Sequence, residues 1–324
     1  MVNLRAGVVG TGVMGLNHLR VLKNLNGVEY AGAADTKAED LNQNSTSGIL
    51  GSLEELLALE LDYCVVATPT ASHLEIAKYL MSHGVAVLVE KPIADSLSNA
   101  QEMVDISRET GMFAGVGHIE RFNSAARFAK DAMREGRVGE IIQIATRRQG
   151  PFPGRITDVG VIKDLATHDI DLTRWISESE YEDVSAVVAS KSGRKYEDLV
   201  ASTGILTNGV VVNHLVNWLS PLKEREVIVT GTSGTIRIDT LSSEVTIFEN
   251  GSISVTRSEL AHFKGVTQGN IFKPAFDKPE PLKVEHENFR DGLLGLSNDV
   301  VTLESGMKTL EVAEKMIESA KVGR

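Results

Sequence analysis

Up to residue 117, short apolar runs alternate with amphipathic stretches, a pattern few folds accommodate. The runs lie at 6–9, 28–34, 61–67, 85–89 and 112–116, with helical patterns such as 16–25, 53–59, 73–81 and 97–108 between them. A strand that is apolar along nearly its whole length must be covered on both faces, and intervening helices supply that cover. The spacing therefore predicts an α/β fold with a doubly wound parallel sheet.

The pattern changes after Gly117. A helix-like stretch at 124–134 precedes a strand-like 141–147, a Pro/Gly loop at 150–154 and a helix from about 161 to 176. Strand signals dominate from 184 to 248. Asn208-Gly209, between 203–206 and 210–214, predicts a two-residue hairpin, and Glu249-Asn250-Gly251 predicts another turn. Hairpin strands pair antiparallel, so this half is expected to be α+β. Residues 258–283 carry prolines and little periodicity and are expected to form a long loop, while 307–320 predict a final helix. Domains are expected at 1–119 and 120–324. There is no internal repeat, low-complexity tract or charge block.

At 324 residues the chain is long enough for two domains with full cores. Lys and Arg number 33 against 44 Asp and Glu, a net charge of -11, which argues against binding to phosphate backbones or anionic membranes. No segment has the length and hydropathy of a membrane span, and the N-terminus lacks the pattern of a secretory leader. The single cysteine, Cys64, lies in the apolar run Tyr63-Cys64-Val65-Val66-Ala67 and reads as a buried small hydrophobe, so a reducing cytoplasm is the expected compartment.

The first strand runs into Gly10-Thr11-Gly12-Val13-Met14-Gly15. GxGxxG alone is a weak signal. Here an apolar strand precedes it, a helical pattern follows, and Asp35 ends the second strand, the arrangement of a dinucleotide site. Gly10 allows the tight turn, Gly12 lets a pyrophosphate approach the backbone, Gly15 lets helix pack on sheet, and the helix N-terminus offers N–H groups to phosphate. Asp35 can accept both adenosine ribose hydroxyls and would repel a 2′-phosphate, which favours NAD over NADP; Lys37 nearby softens that preference. The plainer readings are a glycine-rich βα turn and, for Asp35, a helix N-cap. Thr68-Pro69-Thr70-Ala71-Ser72-His73 follows the 61–67 run, where Thr68 and Pro69 are placed to line the nicotinamide side. His73 reads equally as a structural first-turn residue.

Glu90-Lys91-Pro92 ends the 85–89 run at the same sheet edge. A lysine there can donate to a substrate oxygen, and the Lys91-Pro92 bond is a candidate cis peptide. Lys91 also reads as a solvated strand-end lysine. In the helix at 161–176, Asp164 and His168 are i,i+4, with Asp169 and Asp171 adjacent. A carboxylate one turn from an imidazole orients it and raises its basicity, which suits a general base. A helical ion pair is the plain alternative. A metal site would need more ligands than Asp164 and His168, and no HExxH or paired-cysteine pattern supplies them, so no metal is expected.

Gly10–Gly15, Thr68-Pro69 with His73, Glu90-Lys91-Pro92 and Asp164-x-x-x-His168 together resemble the glucose–fructose oxidoreductase/inositol dehydrogenase (Gfo/Idh/MocA) family over essentially the whole chain. The resemblance implies a Rossmann domain that binds NAD and a C-terminal domain with an open, mainly antiparallel sheet used for homo-oligomerisation, as a dimer or tetramer. It also implies a catalytic set of Lys91, Asp164 and His168. Glu90 and Lys91 join Gly10, Thr11, Gly12, Val13, Met14, Gly15, Asp35, Thr68, Pro69 and His73 at the cofactor. Stretches 117–123 and 150–162 look like the subgroup of UDP-N-acetylglucosamine 3-dehydrogenases, which oxidise the sugar C3 hydroxyl with NAD. Ser124 and Lys163 depart from that subgroup's pattern.

Arg121, Arg147, Arg148 and Arg155 supply the local positive charge that a sugar-nucleotide diphosphate would need. With His118, Lys91 and His168, Arg121 and Arg155 are the expected substrate contacts. Solvated strand and loop arginines are the plain alternative, as loop packing is for Phe152. Two other functions remain open: oxidation of a free polyol or sugar such as inositol, and a non-catalytic NAD-sensing regulator on the same fold.

Overall fold

The computed structural model describes residues 3–43, 48–154, 159–251, 267–297 and 299–322. The chain divides into two compact units, Met1–Ile119 with Pro279–Glu311, and Glu120–Lys278 with Val312–Arg324.

The first unit begins β1 (Leu4–Val9), α1 (Val13–Leu22), β2 (Val28–Ala34), α2 (Ala38–Gln43), α3 (Leu53–Leu57), β3 (Tyr63–Val66), α4 (His73–Ser82), β4 (Ala86–Glu90), α5 (Leu97–Thr110) and β5 (Ala114–Gly117). The strands form one parallel sheet in the order β2-β1-β3-β4-β5. Every residue of β3 and β4 is buried, which is why these strands read as continuous apolar runs.

The second unit holds α6 (Ser124–Arg134), β6 (Ile141–Pro151), a π-helical turn at Ile162–Ala166 running into α7 (Thr167–Ser177), then β7 (Tyr181–Ala189), β8 (Leu199–Leu206), β9 (Val211–Asn217), β10 (Leu219–Gly231), β11 (Gly234–Asp239), β12 (Glu244–Gly251) and β13 (Thr267–Phe272). The sheet order is β13-β12-β11-β10-β6-β9-β8-β7, antiparallel except for the β6–β9 pair. One face is covered: Ala125, Ala126 and Ala129 of α6 and Ile170 and Leu172 of α7 pack with alternate strand residues such as Val227, Val229, Ile236 and Ile238. Small residues on α6 let its backbone come close to the sheet. The other face leaves Val187, Ile205 and Val211 exposed.

The Asn208-Gly209 hairpin is present, but its loop has three residues. Leu206 N–H donates to Val210 O at 2.9 Å, and of the loop residues only Gly209 takes a positive φ, +84°. A two-residue type I′ turn needs positive φ at both central positions, so the chain uses one more residue and a glycine in the left-handed region. Glu249-Asn250-Gly251 is strand, not turn. Glu249 pairs with Gly234, while Asn250 and Gly251 pair with Gln268 and Thr267 across a register shift. At such a bulge the backbones run close, and a Cβ on Gly251 would lie 2.7 Å from Thr267 Oγ1.

Of the long loop expected at 258–283, residues 258–266 lie outside the described residues, and the remainder contains β13 and the start of α8 (Pro281–Leu293). Pro281 occupies the first helical turn, where its missing N–H costs nothing. Phe289 of α8 packs on Tyr63 and Phe113 in the first unit's core, with ring centroids 5.3 and 5.2 Å away. The chain thus returns to the first unit at Pro279, a return that an expected boundary at 119/120 does not include. The final helix, α9 (Leu303–Val322), extends the 307–320 pattern at both ends. No described helix is long and apolar enough to cross a membrane.

Candidate active site

In the first sheet the chain leaves β1 toward β2 on one side and later toward β3 on the other. Such a reversal opens a crevice at the carboxyl ends of the strands. The expected cofactor segments all sit at those ends: Gly10–Gly15 after β1, Asp35 after β2, Thr68-Pro69 after β3, and Glu90-Lys91 at β4.

The three glycines are there for different reasons. Gly10 has φ +88°, and a Cβ on it would lie 2.6 Å from Ala67 O. A Cβ on Gly15 would lie 1.8 Å from Gly10 O, so the loop could not fold back on its own helix. Gly12 is the N-cap of α1 and meets nothing within 4 Å among the described residues, so its lack of a side chain serves nothing in the chain itself. No side chain caps α1 at Gly12, and a helix start of this kind offers its first N–H groups to an anion such as phosphate. Val13 and Leu16, 58% and 53% exposed, flank the same turn.

Asp35 closes the loop from the β2 side. Its Oδ2 accepts the Thr11 N–H at 2.7 Å and the Thr11 hydroxyl at 2.8 Å, and its Oδ1 accepts the Lys37 N–H at 2.9 Å. Partial burial pushes this carboxyl upward, but the bonds from Thr11 and Lys37 outweigh it and hold the group below its ordinary value. Asp35 is therefore an anion with acceptor capacity beyond its contacts to Thr11 and Lys37.

His73 is buried. Its Nε2 is 3.0 Å from Thr68 O and its Nδ1 is 3.1 Å from Pro92 O and 3.3 Å from Ile93 O. It ties the loop after β3 to the loop after β4. Burial holds the imidazole below its ordinary value despite the carbonyls around it. Ser72 donates to Pro69 O at 2.7 Å and Thr68 Oγ1 at 2.9 Å. The Lys91-Pro92 peptide is cis. Glu90 is buried, and its Oε2 accepts the Lys91 N–H at 3.1 Å.

In the second unit the expected regular helix contains a π-helical turn that carries Asp164, while His168 stands in the first turn of α7. Inserted π turns are uncommon and concentrate at functional sites. Glu197 pins the start of this helix: its carbonyl accepts the Val161 N–H at 3.0 Å and its Oε1 accepts the Ile162 N–H at 3.1 Å. A Cβ on Gly160 would lie 2.0 Å from that Oε1. Asp164 is buried and His168 half-buried.

Two carboxylates of α7 are held by arginines. Asp171 takes a two-point bond from Arg121, at 2.8 and 2.5 Å. Asp169 lies 3.1 Å from Arg148 Nε, and Arg148 Nη1 donates to Glu120 Oε1 at 2.8 Å. Burial pushes Asp169 up to about 6, with Glu120 adding to it and Arg148 opposing it. Arg148 is 2% exposed and held by carboxylates, so it is a buried structural cation rather than a phosphate donor. Breaking such a pair costs about 3–5 kcal/mol. Arg147 is exposed beside Glu224, His118 is buried just past β5, and Phe152 packs edge-on against Trp218 at 5.2 Å. Arg155 lies outside the described residues. Among the described residues, no group of three or more His, Cys, Asp or Glu could hold a metal ion.

Sequence reasoning misses Glu197, Glu120 as the partner of Arg148, and two buried histidines, His18 and His286. His18 is signalled only by its place one turn after Gly15, and His286 lies on a helix the sequence does not announce.

Residues 4–118 match a family model described as Gfo/Idh/MocA oxidoreductases with an NAD-binding Rossmann fold, and residues 126–237 match the C-terminal domain of the same family. The chain belongs to the Gfo/Idh/MocA oxidoreductase family. This Gfo/Idh/MocA enzyme is 28% identical over 259 residues to UDP-N-acetylglucosamine 3-dehydrogenase of Acidithiobacillus ferrooxidans, covering 79% of this chain and 80% of that one. It is 30% identical over 197 residues to an inositol 2-dehydrogenase of Cereibacter sphaeroides, covering 57% of each. The solved Acidithiobacillus structure shares the fold with a TM-score of 0.85 at 24% identity over 99% of both chains. An oxidoreductase from Agrobacterium radiobacter, solved with NAD+, L-tartaric acid and magnesium, does so with 0.82 at 20% identity over 100% of this chain and 98% of that one. NAD is the cofactor of the Gfo/Idh/MocA N-terminal domain, and the open cradle at Gly12, the uncapped start of α1 and the anionic Asp35 fit it.

Proposed function

We propose that this enzyme oxidises a secondary hydroxyl of a sugar nucleotide, with the C3 hydroxyl of UDP-N-acetylglucosamine as the lead substrate. The observation that carries an alcohol-oxidising reading is Lys91 at the carboxyl end of β4, on the sheet edge that carries the glycine loop. The substrate class is supported by the similarity to the Acidithiobacillus enzyme over most of both chains.

In this reading Gly10, Gly12 and the first turn of α1 hold the pyrophosphate and Asp35 the adenosine ribose. Bound NAD supplies a hydride acceptor. Lys91 polarises the reacting oxygen by donating to it. His168 removes the hydroxyl proton as general base, and Asp164 orients the imidazole and stabilises its charged form. Glu90 and His73 keep the loops carrying Lys91 and Thr68 in place. The segment at 150–155 with Arg155 is the proposed contact for the nucleotide diphosphate, whereas Arg121 is committed to Asp171 much as Arg148 is to Asp169 and Glu120. The open face of the second sheet is the proposed surface for self-association, and a reducing cytoplasm suits the one buried thiol.

The similarity to an inositol 2-dehydrogenase favours a second reading, oxidation of a free polyol. A substrate panel with NAD and NADP, read by NADH absorbance and including UDP-N-acetylglucosamine and myo-inositol, separates the two. Turnover of UDP-N-acetylglucosamine, competitively inhibited by UDP, is the expected result. Turnover of inositol alone, insensitive to UDP, supports the polyol reading. Tight NAD binding without turnover of any alcohol overturns both and leaves a non-catalytic regulator.

A further inference from the structure

Behind the glycine loop, three elements of the first unit bring buried titratable side chains together. His18 comes from α1, Glu90 from the end of β4 and His286 from α8. His18 Nε2 is 2.8 Å from Glu90 Oε1, and His18 Nδ1 is 2.8 Å from His286 Nε2. The two rings meet nearly edge-on, at 80° with centroids 5.0 Å apart, and both residues are 0% exposed. The other oxygen of Glu90 holds the Lys91 N–H at 3.1 Å. One carboxylate is thus gripped by the histidines on one side and grips the lysine's backbone on the other.

The carboxylate fixes one end of this chain. Burial pushes Glu90 upward, but the bond from His18 and the charges around it prevail and hold it below its ordinary value. It is an acceptor, so His18 Nε2–H donates to it. Burial, together with His18, holds His286 well below its ordinary value, so its ring is neutral. One proton between His18 Nδ1 and His286 Nε2 completes the chain, and either ring can supply it. Glu285, the next residue on α8, is buried without a hydrogen-bond partner among the described residues, and burial plus the charge of Glu90 keep it well above its ordinary value and neutral. From α4, His73 faces the loop carbonyls with its ring nitrogens, and burial holds it below its ordinary value. From β5, Gly117 presents no side chain, and a Cβ there would lie 3.5 Å from the Glu90 carboxyl carbon. A set of apolar residues of similar volume would fill this space at lower desolvation cost, so the polar chain calls for a functional reason.

We propose that His18 and His286 are positioning residues for Lys91: acting through Glu90, they fix the backbone from which the lysine presents its amine. This rests on the reading of Lys91 as the catalytic amine. Neither histidine is assigned to substrate or cofactor.

The test compares His286→Leu, which removes the polar partner of His18, with His286→Gln, whose amide can donate or accept in place of Nε2. The first readout needs no substrate: the acetylation rate of Lys91 by a limiting amine-reactive ester in the NAD-loaded protein, followed by peptide mass spectrometry, with Lys78 on α4 as internal control. The expected result is a change of about fivefold or more at Lys91 in His286→Leu, a return to within about twofold in His286→Gln, and no change at Lys78. The second readout is turnover: kcat falls about thirtyfold in His286→Leu with KM and NAD affinity within about threefold, and His286→Gln restores it. Equal Lys91 rates in all three proteins, or Leu and Gln variants displaced alike, overturn the proposal. Should His286→Leu fail to fold, His18→Gln, which keeps a donor to Glu90 but breaks the link to His286, is read the same way, and an unchanged Lys91 rate overturns the proposal. If no alcohol in the panel turns over while Lys91 labelling behaves as expected, the positioning chain stands and the dehydrogenase reading fails.

Discussion

Thr11 holds Asp35 twice, its backbone N–H at 2.7 Å and its hydroxyl at 2.8 Å from the same Oδ2. The end of β2 is thereby tied to the glycine loop after β1, and the carboxylate is held as an anion at the place proposed for the adenosine ribose. A fixed anion accepts ribose hydroxyls and repels a 2′-phosphate. Asp35→Ser is expected to weaken NAD binding about tenfold, the scale of one or two charge-assisted hydrogen bonds, while NADP binding stays level or improves. Fluorescence titration with both cofactors checks this. An unchanged NAD to NADP ratio would mean that Asp35 serves only the loop.

Variants at Gly12 and Gly15 are expected to separate cofactor binding from folding. Gly12 has open space around it and φ -67°, so Gly12→Ala is expected to leave the melting temperature nearly unchanged and lower NAD affinity about tenfold or more. Gly15→Ala would put a methyl group 1.8 Å from Gly10 O, so stability and NAD binding are expected to fall together. Thermal melts with and without NAD decide it. Two variants that behave alike in both assays contradict the assignment.

His214 gives the second unit an acid sensitivity. The ring is buried between Thr146 Oγ1 at 2.8 Å and Tyr181 OH at 2.6 Å, and burial pushes it down to about 4. The unfolded chain takes up a proton near the ordinary histidine value of about 6.5, before the folded chain does. The neutral ring's contribution is therefore complete above about pH 6.5 and is lost as pH falls toward about 4, by on the order of 3 kcal/mol. Urea unfolding of wild type and His214→Gln at about pH 7.5 and about pH 4.5 is expected to show the wild-type advantage shrinking at the lower pH. A constant gap would place the ring in contact with solvent.

Where one physical requirement dominated a segment, the sequence displayed it. Fully covered strands have to be apolar throughout, so β3 and β4 were legible, and so was the glycine loop, whose residues answer to local geometry. The expected helix at 124–134 coincides with α6 because Asn123 accepts the Ala125 N–H at its start and its alanines leave a clear small-residue face. Helix α8 was hidden because its buried positions mix Leu282 and Phe289 with Glu285 and His286, which breaks the apolar period. The role of Arg148 was hidden for a related reason. Its partners Glu120 and Asp169 lie 28 and 21 residues away, and only the fold pairs them. At Glu249–Gly251, turn-forming residue types occupy a bulged strand, and the partner that selects strand over turn lies beyond residue 266.

The central claim, that Lys91 and His168 act on one hydroxyl, is tested most directly by single-turnover NADH formation in Lys91→Met and His168→Ala alongside wild type, with NAD affinity measured on the same samples. Each variant is predicted to slow the step by about a thousandfold, within the range for loss of a general acid–base group, while binding NAD within about threefold of wild type. NADH formation at the wild-type rate in either variant, with substrate saturating, would contradict the account.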